Sequence, residues 1–533
     1  MIYLPRFYLF FLLIYTFSLR AEKNSDFEYL VSVKNYIEDN DKYKSSKSEW
    51  VKAVLGDNLE KNNLSFHFSK IQSKNSAFLT EKFHKELDQI SGSELTANNS
   101  FQMLYNGQSF AKKMELIKGA KNSIYISYLQ IVCDQAGLEM FRALDDAVLR
   151  GVDVKVLLNG DLTYSKYQLA TLEGSCAALS DTRYFTKKLF GKEMELLNLR
   201  PNVFYTSQGK LYSLSRGLTG QKGTWLHDKI MVVDLKYGIT GGQNVSSGWA
   251  NSNGKDENFR DTDILVQGPV VYQMAQRIID LFVKDENGDF KNQSQMDVYR
   301  KLVSKKINES RAMGLSGARN YEKWFRENRQ GLCRFVGQNP RLNSFEVLES
   351  YKHYVRHANN YIYAEIPQVD MLDKDDKIRT ELLLDMLGAK KQRGVQIHIL
   401  TNGNGFVDST ILPSSGPFNI LKSMQESFGY NPLGKKTAIS TAKALFDSVN
   451  MSGFNIYIYP HWTHGKIWNF DGIAASIGSF NFDSSATTWT ESVLLCQDEN
   501  LMSELIEEQQ GLIRYSSKME TPNIVPKQKD LKK

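Results

Sequence analysis

Two short stretches of this 533-residue chain carry the same three side chains at the same intervals. In "WLHDKIMVVDLKYGITGGQN" (225–244) they are His227, Lys229 and Asp234, followed by Gly241, Gly242 and Asn244. In "WTHGKIWNFDGIAASIGSFN" (462–481) they are His464, Lys466 and Asp471, followed by Gly478, Ser479 and Asn481. One copy alone reads equally well as a strand entering a tight turn. Alternate side chains of a strand share a face, so each histidine and its lysine point together. Glycine lets backbone approach a ligand closely, while Asn and Ser add neutral donors. Over two copies the donors are two lysines, two asparagines, a serine hydroxyl and backbone N–H groups, a set suited to the oxygens of one phosphate. A phosphodiester resists direct attack by water, and a covalent phosphohistidine splits that reaction into two easier steps. One imidazole attacks phosphorus; the other protonates the departing alkoxide and later activates the acceptor alcohol or water. Both tasks suit a side chain that titrates near neutrality. Each stretch is therefore half of a site.

The elements that must position these halves are also duplicated. "AKNSIYISYLQ" (120–130) answers "ANNYIYAEIPQ" (358–368), and "RGVDVKVLLNG" (150–160) answers "RGVQIHILTNG" (393–403). Three landmarks thus recur in one order at nearly constant separation, the mark of a repeated unit. Within each unit a helix (Phe110 to Ala120; Phe345 to Ala358) precedes a strand, then a second helix and a second strand, which argues for an α/β unit with a largely buried sheet. The Arg-Gly-Val junction reads as a helix ending on a glycine cap with a strand starting at once. The expected organisation is a signal peptide over 1–21, a polar helical preamble over 22–98, unit 1 over 99–290, a linker over 291–344, unit 2 over 345–517 and a disordered tail over 518–533.

Hydrophobic content of 41% and charged content of 24% fit a folded globular chain rather than a disordered one. Residues 7–19, "FYLFFLLIYTFSL", are uncharged, follow Arg6 and lead to Ala21. They are too few to span a bilayer comfortably but fit a signal-peptide core, so export to periplasm or medium is expected. No later stretch is long and apolar enough to cross a membrane, which leaves a soluble or peripheral body. The net charge of +6 drops to +4 without residues 1–21, which hold Arg6, Arg20 and no acid. That is a weak bias for a nucleic-acid footprint. Cys133, Cys176, Cys333 and Cys496 are scattered without metal-like spacing, and either two disulfides or buried free thiols would accommodate them.

The doubled His-x-Lys-x4-Asp-x6-Gly-Gly/Ser-x-Asn pattern resembles the signature of the phospholipase D superfamily, over roughly residues 99–515. "NFRDTDILVQGPVV" (258–271) and "GSFNFDSSATTWTES" (478–492) look most like its bacterial cardiolipin-synthase branch. The resemblance implies two tandem α/β/α sandwich units packed as a pseudo-dimer, with the active site at their interface and neither metal nor cofactor. It further implies His227 as nucleophile, His464 as general acid and base, and Asp261 and Glu491 as carboxylates orienting the imidazoles. Asp234 and Asp471 would hold the loop. Where that branch continues Asn-x-Asp-Pro-Arg-Ser, this chain has Asn481-Phe482-Asp483-Ser484-Ser485-Ala486, and the missing arginine bears on the choice of head group or acceptor. A phospholipid substrate, peripheral membrane contact and a monomer carrying both halves follow as expectations; the rival reading is a nuclease of the same superfamily.

Other residues have plainer readings. His461, three residues before His464, is a surface or substrate-edge histidine. His353 and His357 stand at helical i,i+4 spacing, but no glutamate-containing zinc motif surrounds them in sequence, so they read as a helix face. Trp225, Trp249, Trp462 and Trp489 lie near the motifs and pack in the core or at the rim, or face lipid. The apolar loop "GFVDSTILPSSGPFNIL" (405–421) would suit a membrane-bound substrate.

Overall fold

A computed structural model describes residues 76–132, 134–159, 187–189, 192–194, 199, 202–205, 226–252, 259–283, 293–313, 320–327, 330–367, 377–402, 454–459, 462–482 and 489–518. The expected signal peptide, most of the preamble, Cys133, Cys176, Trp225, the 405–421 loop, His461, Asp483–Ala486 and residues 519–533 lie outside these.

In the first half the strands are β1 (Ser100–Tyr105), β2 (Ser123–Tyr128), β3 (Asp153–Leu158), β4 (Lys187–Leu189), β5 (Lys192–Met194), β6 (Val203–Tyr205), β7 (Lys229–Val233), β8 (Tyr237–Gly241), β9 (Phe259–Arg260) and β10 (Thr262–Gln267). The second half holds β11 (Leu332–Gln338), β12 (Tyr361–Glu365), β13 (Gln396–Asn402), β14 (Asn455–Tyr459), β15 (Trp462–Thr463), β16 (Ile467–Phe470), β17 (Ala474–Gly478), β18 (Glu491–Gln497) and β19 (Ser517–Lys518). Helices are α1 (Glu81–Ser91), α2 (Gly107–Gly119), α3 (Gln135–Leu149), α4 (Ser247–Ala250), α5 (Val270–Val283), α6 (Gln293–Met313), α7 (Tyr321–Glu327), α8 (Glu346–His357), α9 (Lys377–Arg393) and α10 (Glu499–Tyr515).

The first sheet runs β1-β10-β8-β7-β2-β3-β6 and the second β11-β18-β17-β16-β12-β13-β14, with β19 added at its edge. Position by position the orders correspond, so the duplication read in the motifs extends to the whole sheet. In each, the central strand pairs in parallel with the next (β2 with β3, β12 with β13) and antiparallel with the strand that carries the lysine or follows it (β7, β16). Both central strands are buried at every position, so Ile and Tyr recur along them without a polar face, and the few polar members, Ser123, Ser127 and Glu365, are buried as well. The Arg-Gly junctions behave as expected: Gly151 and Gly394 sit at φ of 85° and 70°, left-handed values that glycine adopts without a Cβ clash.

Three layers of side chains hold the units. On the outer face of the first sheet, α2 and α3 bury Ile117, Phe141 and Leu144 against Ile124 and Val156. On the outer face of the second, Tyr351, Val355 and Met386 of α8 and α9 lie against Ile362, Ile397 and Trp468. Between the sheets one continuous cluster joins Ile230, Val266, Met274 and Ile278 of the first unit to Phe335, Ile467, Ile477 and Leu494 of the second. Burying a side chain of this size contributes about 1.5–3 kcal/mol relative to exposure. Separating the halves would expose that cluster, so the pseudo-dimer is held by a core and not by a rim of contacts.

Two features extend past the sequence reading. Strand β11 falls in the 291–344 stretch read as linker, yet it forms the second sheet's edge against β18, where Cys333 and Cys496 are cross-strand partners joined by a disulfide. Helix α1, from the preamble, docks on the second unit: Phe83 packs on Tyr354 at 5.1 Å, and the Arg334 guanidinium donates to Asp88 at 2.5 Å. Among the described residues no helix is long and apolar enough to cross a membrane.

Candidate active site

The two motif histidines approach one another at the junction of the units, each delivered by a short extended segment that pairs with the other half. Leu226 bridges in parallel to Thr490, and the His227 amide donates to the Thr490 carbonyl at 3.2 Å. Likewise β15 pairs in parallel with β9, and the His464 amide donates to the Arg260 carbonyl at 2.7 Å. Thr490 immediately precedes Glu491, and Arg260 immediately precedes Asp261. Each histidine is thereby aligned beside an acid that belongs to the opposite unit.

The side chains complete this exchange. His227 Nδ1 lies 2.9 Å from both carboxylate oxygens of Glu491, and His464 Nδ1 lies 2.7 Å from Asp261 Oδ2. A carboxylate can only accept, so each Nδ1 carries the proton and each Nε2 presents its lone pair. Glu491 is wholly buried and also accepts from the Ser479 hydroxyl at 2.5 Å. Asp261, equally buried, accepts from Trp249 Nε1 at 2.9 Å and from the Thr262 amide at 2.8 Å. Burial pushes the Asp261 carboxyl up, but the His464 ring beside it and Lys466 outweigh that and hold it below the usual carboxylate range.

Lys229 and Lys466 are buried behind their histidines. Lys229 Nζ donates to the His227 carbonyl at 2.9 Å, and Lys466 Nζ donates to the His464 carbonyl at 2.7 Å while standing 3.2 Å from His464 Nε2. Burial and then the facing Lys466 ammonium lower Lys229 to about 7, against the pull of Glu491, Asp261 and Asp228. Burial, followed by Lys229, Lys466 and His464, drives the His227 imidazole well below its ordinary value. His464 falls to about 4, through burial and Lys466, with Asp261 opposing. Both imidazoles are thus held neutral while the two lysine side chains repel each other across the junction, and an anion placed between them would relieve that repulsion.

The glycine loops are positioned by groups behind them. A Cβ at Gly242 would overlap Asp261 Oδ1, and one at Gly478 would run into the Ser492 carbonyl, so both places require the bare backbone. Asp263 accepts from the Gln243 amide at 3.1 Å and pairs with buried Lys113 at 2.7 Å, fixing the first loop from below. Asn244 and Asn481 are 5% and 7% exposed, and Asn244 Oδ1 has no hydrogen-bond partner among the described residues. Ser479 departs from expectation: its one proton goes to Glu491, so it shapes the carboxylate instead of supplying a free donor to phosphate. Asp234 and Asp471 sit outside the cleft. Asp234 accepts from the amides of Lys121, Asn122 and Ser123, and Asp471 from those of Asn359, Asn360 and Tyr361, closing the start of each central strand.

Several contributors carry no motif. Trp489 stands 4.9 Å from the His227 ring and Trp249 5.6 Å from that of His464, so two of the four tryptophans flank the imidazoles. Arg277 on α5 pairs with buried Asp228, between the first histidine and lysine, at 2.9 Å, and donates to the Gln338 carbonyl at 2.7 Å. Buried Arg260, also of the first unit, reaches across the junction to Glu365 at 3.3 Å and Glu508 at 3.0 Å. Each arginine neutralises an acid packed against a motif strand; nothing in their local sequence marks them.

Similarity to known proteins agrees with this geometry. Residues 114–282 and 351–513 both match the family described as "Cardiolipin synthase, PLD-like domain". Cardiolipin synthase 1 of Staphylococcus epidermidis is 23% identical over 391 residues, 73% of this chain and 62% of that protein. A cardiolipin synthase of Listeria monocytogenes is 24% identical over 191 residues, 35% of this chain and 34% of that protein. The match thus spans about three fifths of the length of the first of these relatives, the 62% above. Among solved structures, phosphatidylserine synthase of Haemophilus influenzae is similar in fold, with a TM-score of 0.52 at 14% identity over 82% of this chain and 92% of that one.

Proposed function

The chain belongs to the phospholipase D-like family described by the cardiolipin synthase domain, and on that premise we propose that it is a phosphatidyltransferase or phosphodiesterase acting on phospholipid head groups. The observation that carries this reading is the crossed pair of carboxylate-held imidazoles, His227 with Glu491 and His464 with Asp261, in a cleft with two buried lysines.

In the first step His227 Nε2 attacks phosphorus and the bond to the leaving oxygen breaks. Glu491 stabilises the imidazolium character that develops on His227. Protonated His464 gives its Nε2 proton to the departing alkoxide. In the second step His464 Nε2 takes a proton from water or an alcohol, whose oxygen attacks phosphorus and displaces His227. The proton returns to His464 and the enzyme is restored. With the free enzyme's His464 at about 4, the acid form must be drawn up by substrate: a phosphate anion between Lys229 and Lys466 offsets their charge and favours the imidazolium, which ionised Asp261 supports. The lysines hold the non-bridging oxygens throughout.

Export of the enzyme and its contact with a membrane surface belong to the same proposal. The Cys333–Cys496 disulfide supports export, since such bonds persist in oxidising compartments. The decisive assay incubates purified full chain with phosphatidylglycerol vesicles, and separately with single- and double-stranded DNA. Released glycerol, phosphatidic acid or a dimeric phospholipid is the expected outcome. DNA cleavage without lipid turnover would replace this reading with a nuclease.

A further inference from the structure

We propose that Glu86, His353 and His357 form a zinc-type divalent cation site that pins helix α1 to the second unit, away from the catalytic cleft. One ligand atom from each of the three lies within 4.8 Å of the others. The histidines stand one helical turn apart on α8 and therefore share a face. The glutamate comes from α1, 267 positions earlier in the chain than His353, which is why the histidine pair has no metal-site motif around it in sequence.

The surroundings prepare the rings as ligands. His357 Nδ1 is 2.8 Å from the His353 carbonyl, which can only accept; the proton is on Nδ1 and Nε2 keeps its lone pair. A ring nitrogen tied to a backbone carbonyl while the other binds metal is the usual arrangement in protein sites. His353 is 7% exposed, stacked on Phe83 at 4.5 Å and set 4.5 Å from the His357 ring, so its plane is fixed. Its Nε2 faces the Phe83 carbonyl at 3.3 Å and Glu86 Oε2 at 4.0 Å. Binding a cation there shifts the His353 proton to Nδ1 and gives up only that long carbonyl contact.

A tetrahedral zinc with bonds of about 2.0–2.1 Å needs its ligand atoms about 3.3 Å apart. The half-exposed Glu86 side chain supplies the closing movement. Two neutral imidazoles, one carboxylate and a water complete four-coordination. Arg334 opposes the cation, but it is already paired with Asp88. Holding α1 in this way clamps the Phe78, Phe83 and Leu87 side chains that complete the second unit's core.

The test uses untagged full chain, stripped with chelator and titrated with zinc chloride and with cobalt chloride. The expected result is one ion per chain, the intense visible absorption of four-coordinate cobalt, and a zinc-dependent rise in melting temperature of at least about 2 °C. Glu86→Gln and His357→Ala, both at partly exposed positions, keep the His353–Phe83 stack and should each weaken zinc binding by about 100-fold or more and abolish the cobalt spectrum; Glu86→Gln also keeps the edge contact of His357 with Phe83. Absence of binding at micromolar metal in the wild type would overturn the proposal. So would binding that survives both substitutions, since the ion would then sit elsewhere.

Discussion

His227 of the first unit is held by Glu491 of the second, with both carboxylate oxygens 2.9 Å from its Nδ1, and the mirror relationship ties His464 to Asp261 of the first unit. A site built this way has its protonation states set across a domain junction, and its chemistry should fail in characteristic ways when the exchange is broken.

Replacing Glu491 with Gln keeps the shape and removes the charge that fixes the His227 tautomer. A fall in kcat of about 10²–10⁴-fold is expected, comparable with losing the orienting acid of other His-carboxylate pairs, while the melting temperature stays near wild type. Asp261→Asn should behave likewise through His464. Steady-state kinetics beside thermal unfolding would separate the two effects, and an unchanged kcat in both variants would remove the orienting role.

The two imidazoles are expected to fail differently. In rapid-quench experiments with phosphorus-labelled lipid, His227→Ala should form no covalent phosphoryl-enzyme. His464→Ala should lose about 10²–10⁴-fold in turnover yet still accumulate label slowly at residue 227. Label appearing at His464 in the wild type would reverse the assignment, and wild-type rates in either variant would end the two-histidine mechanism.

Substrate affinity should depend on pH through Lys229, which burial and Lys466 lower to about 7. Below that value the ammonium is charged and holds phosphate; above it the amine is neutral. KM should therefore rise with pH above about 7, by up to about tenfold per unit, and Lys229→Arg should flatten the rise because guanidinium stays charged. Folding responds with the opposite sign: between this folded value and the ordinary lysine range the unfolded chain binds more protons, so this group's contribution to stability grows with pH there. Measuring KM and urea unfolding from pH 6 to 9 tests both directions.

Asp471 should matter for stability and not for chemistry. Its buried carboxylate takes three amide protons at 2.8–2.9 Å, and Asp471→Ala leaves those donors without their acceptor. A loss of about 1–3 kcal/mol is expected, with kcat per folded molecule close to wild type. A large drop in kcat without destabilisation would place Asp471 in the reaction.

Much of this site was legible because strand periodicity and the repeat are local signals. His227 and Lys229, two apart, had to share a face, and the return of the same spacing at His464 and Lys466 announced a second half. The crossing of the acids was not legible: Asp261 and Glu491 were implied only by the family resemblance, and partners 203 and 264 positions apart are chosen by how two sheets pack, which spacing does not encode. Ser479 was read as a donor to phosphate because a hydroxyl after glycine offers one; its complete burial against Glu491 redirected it. Strand β11 hid in a polar linker because "LCRFVGQ" is a short run between helices rich in charge. Glu86 gave no sign of its histidines, since helix docking alone brings them together.

Gene duplication ordinarily frees one copy to drift while the other keeps the job. Here the swapped acids withdraw that freedom, because decay in either half disables the imidazole that the other half owns. The two halves are bound to a common fate, and any natural or engineered division into separate polypeptides would work only while the pieces still reassemble through their shared apolar seam.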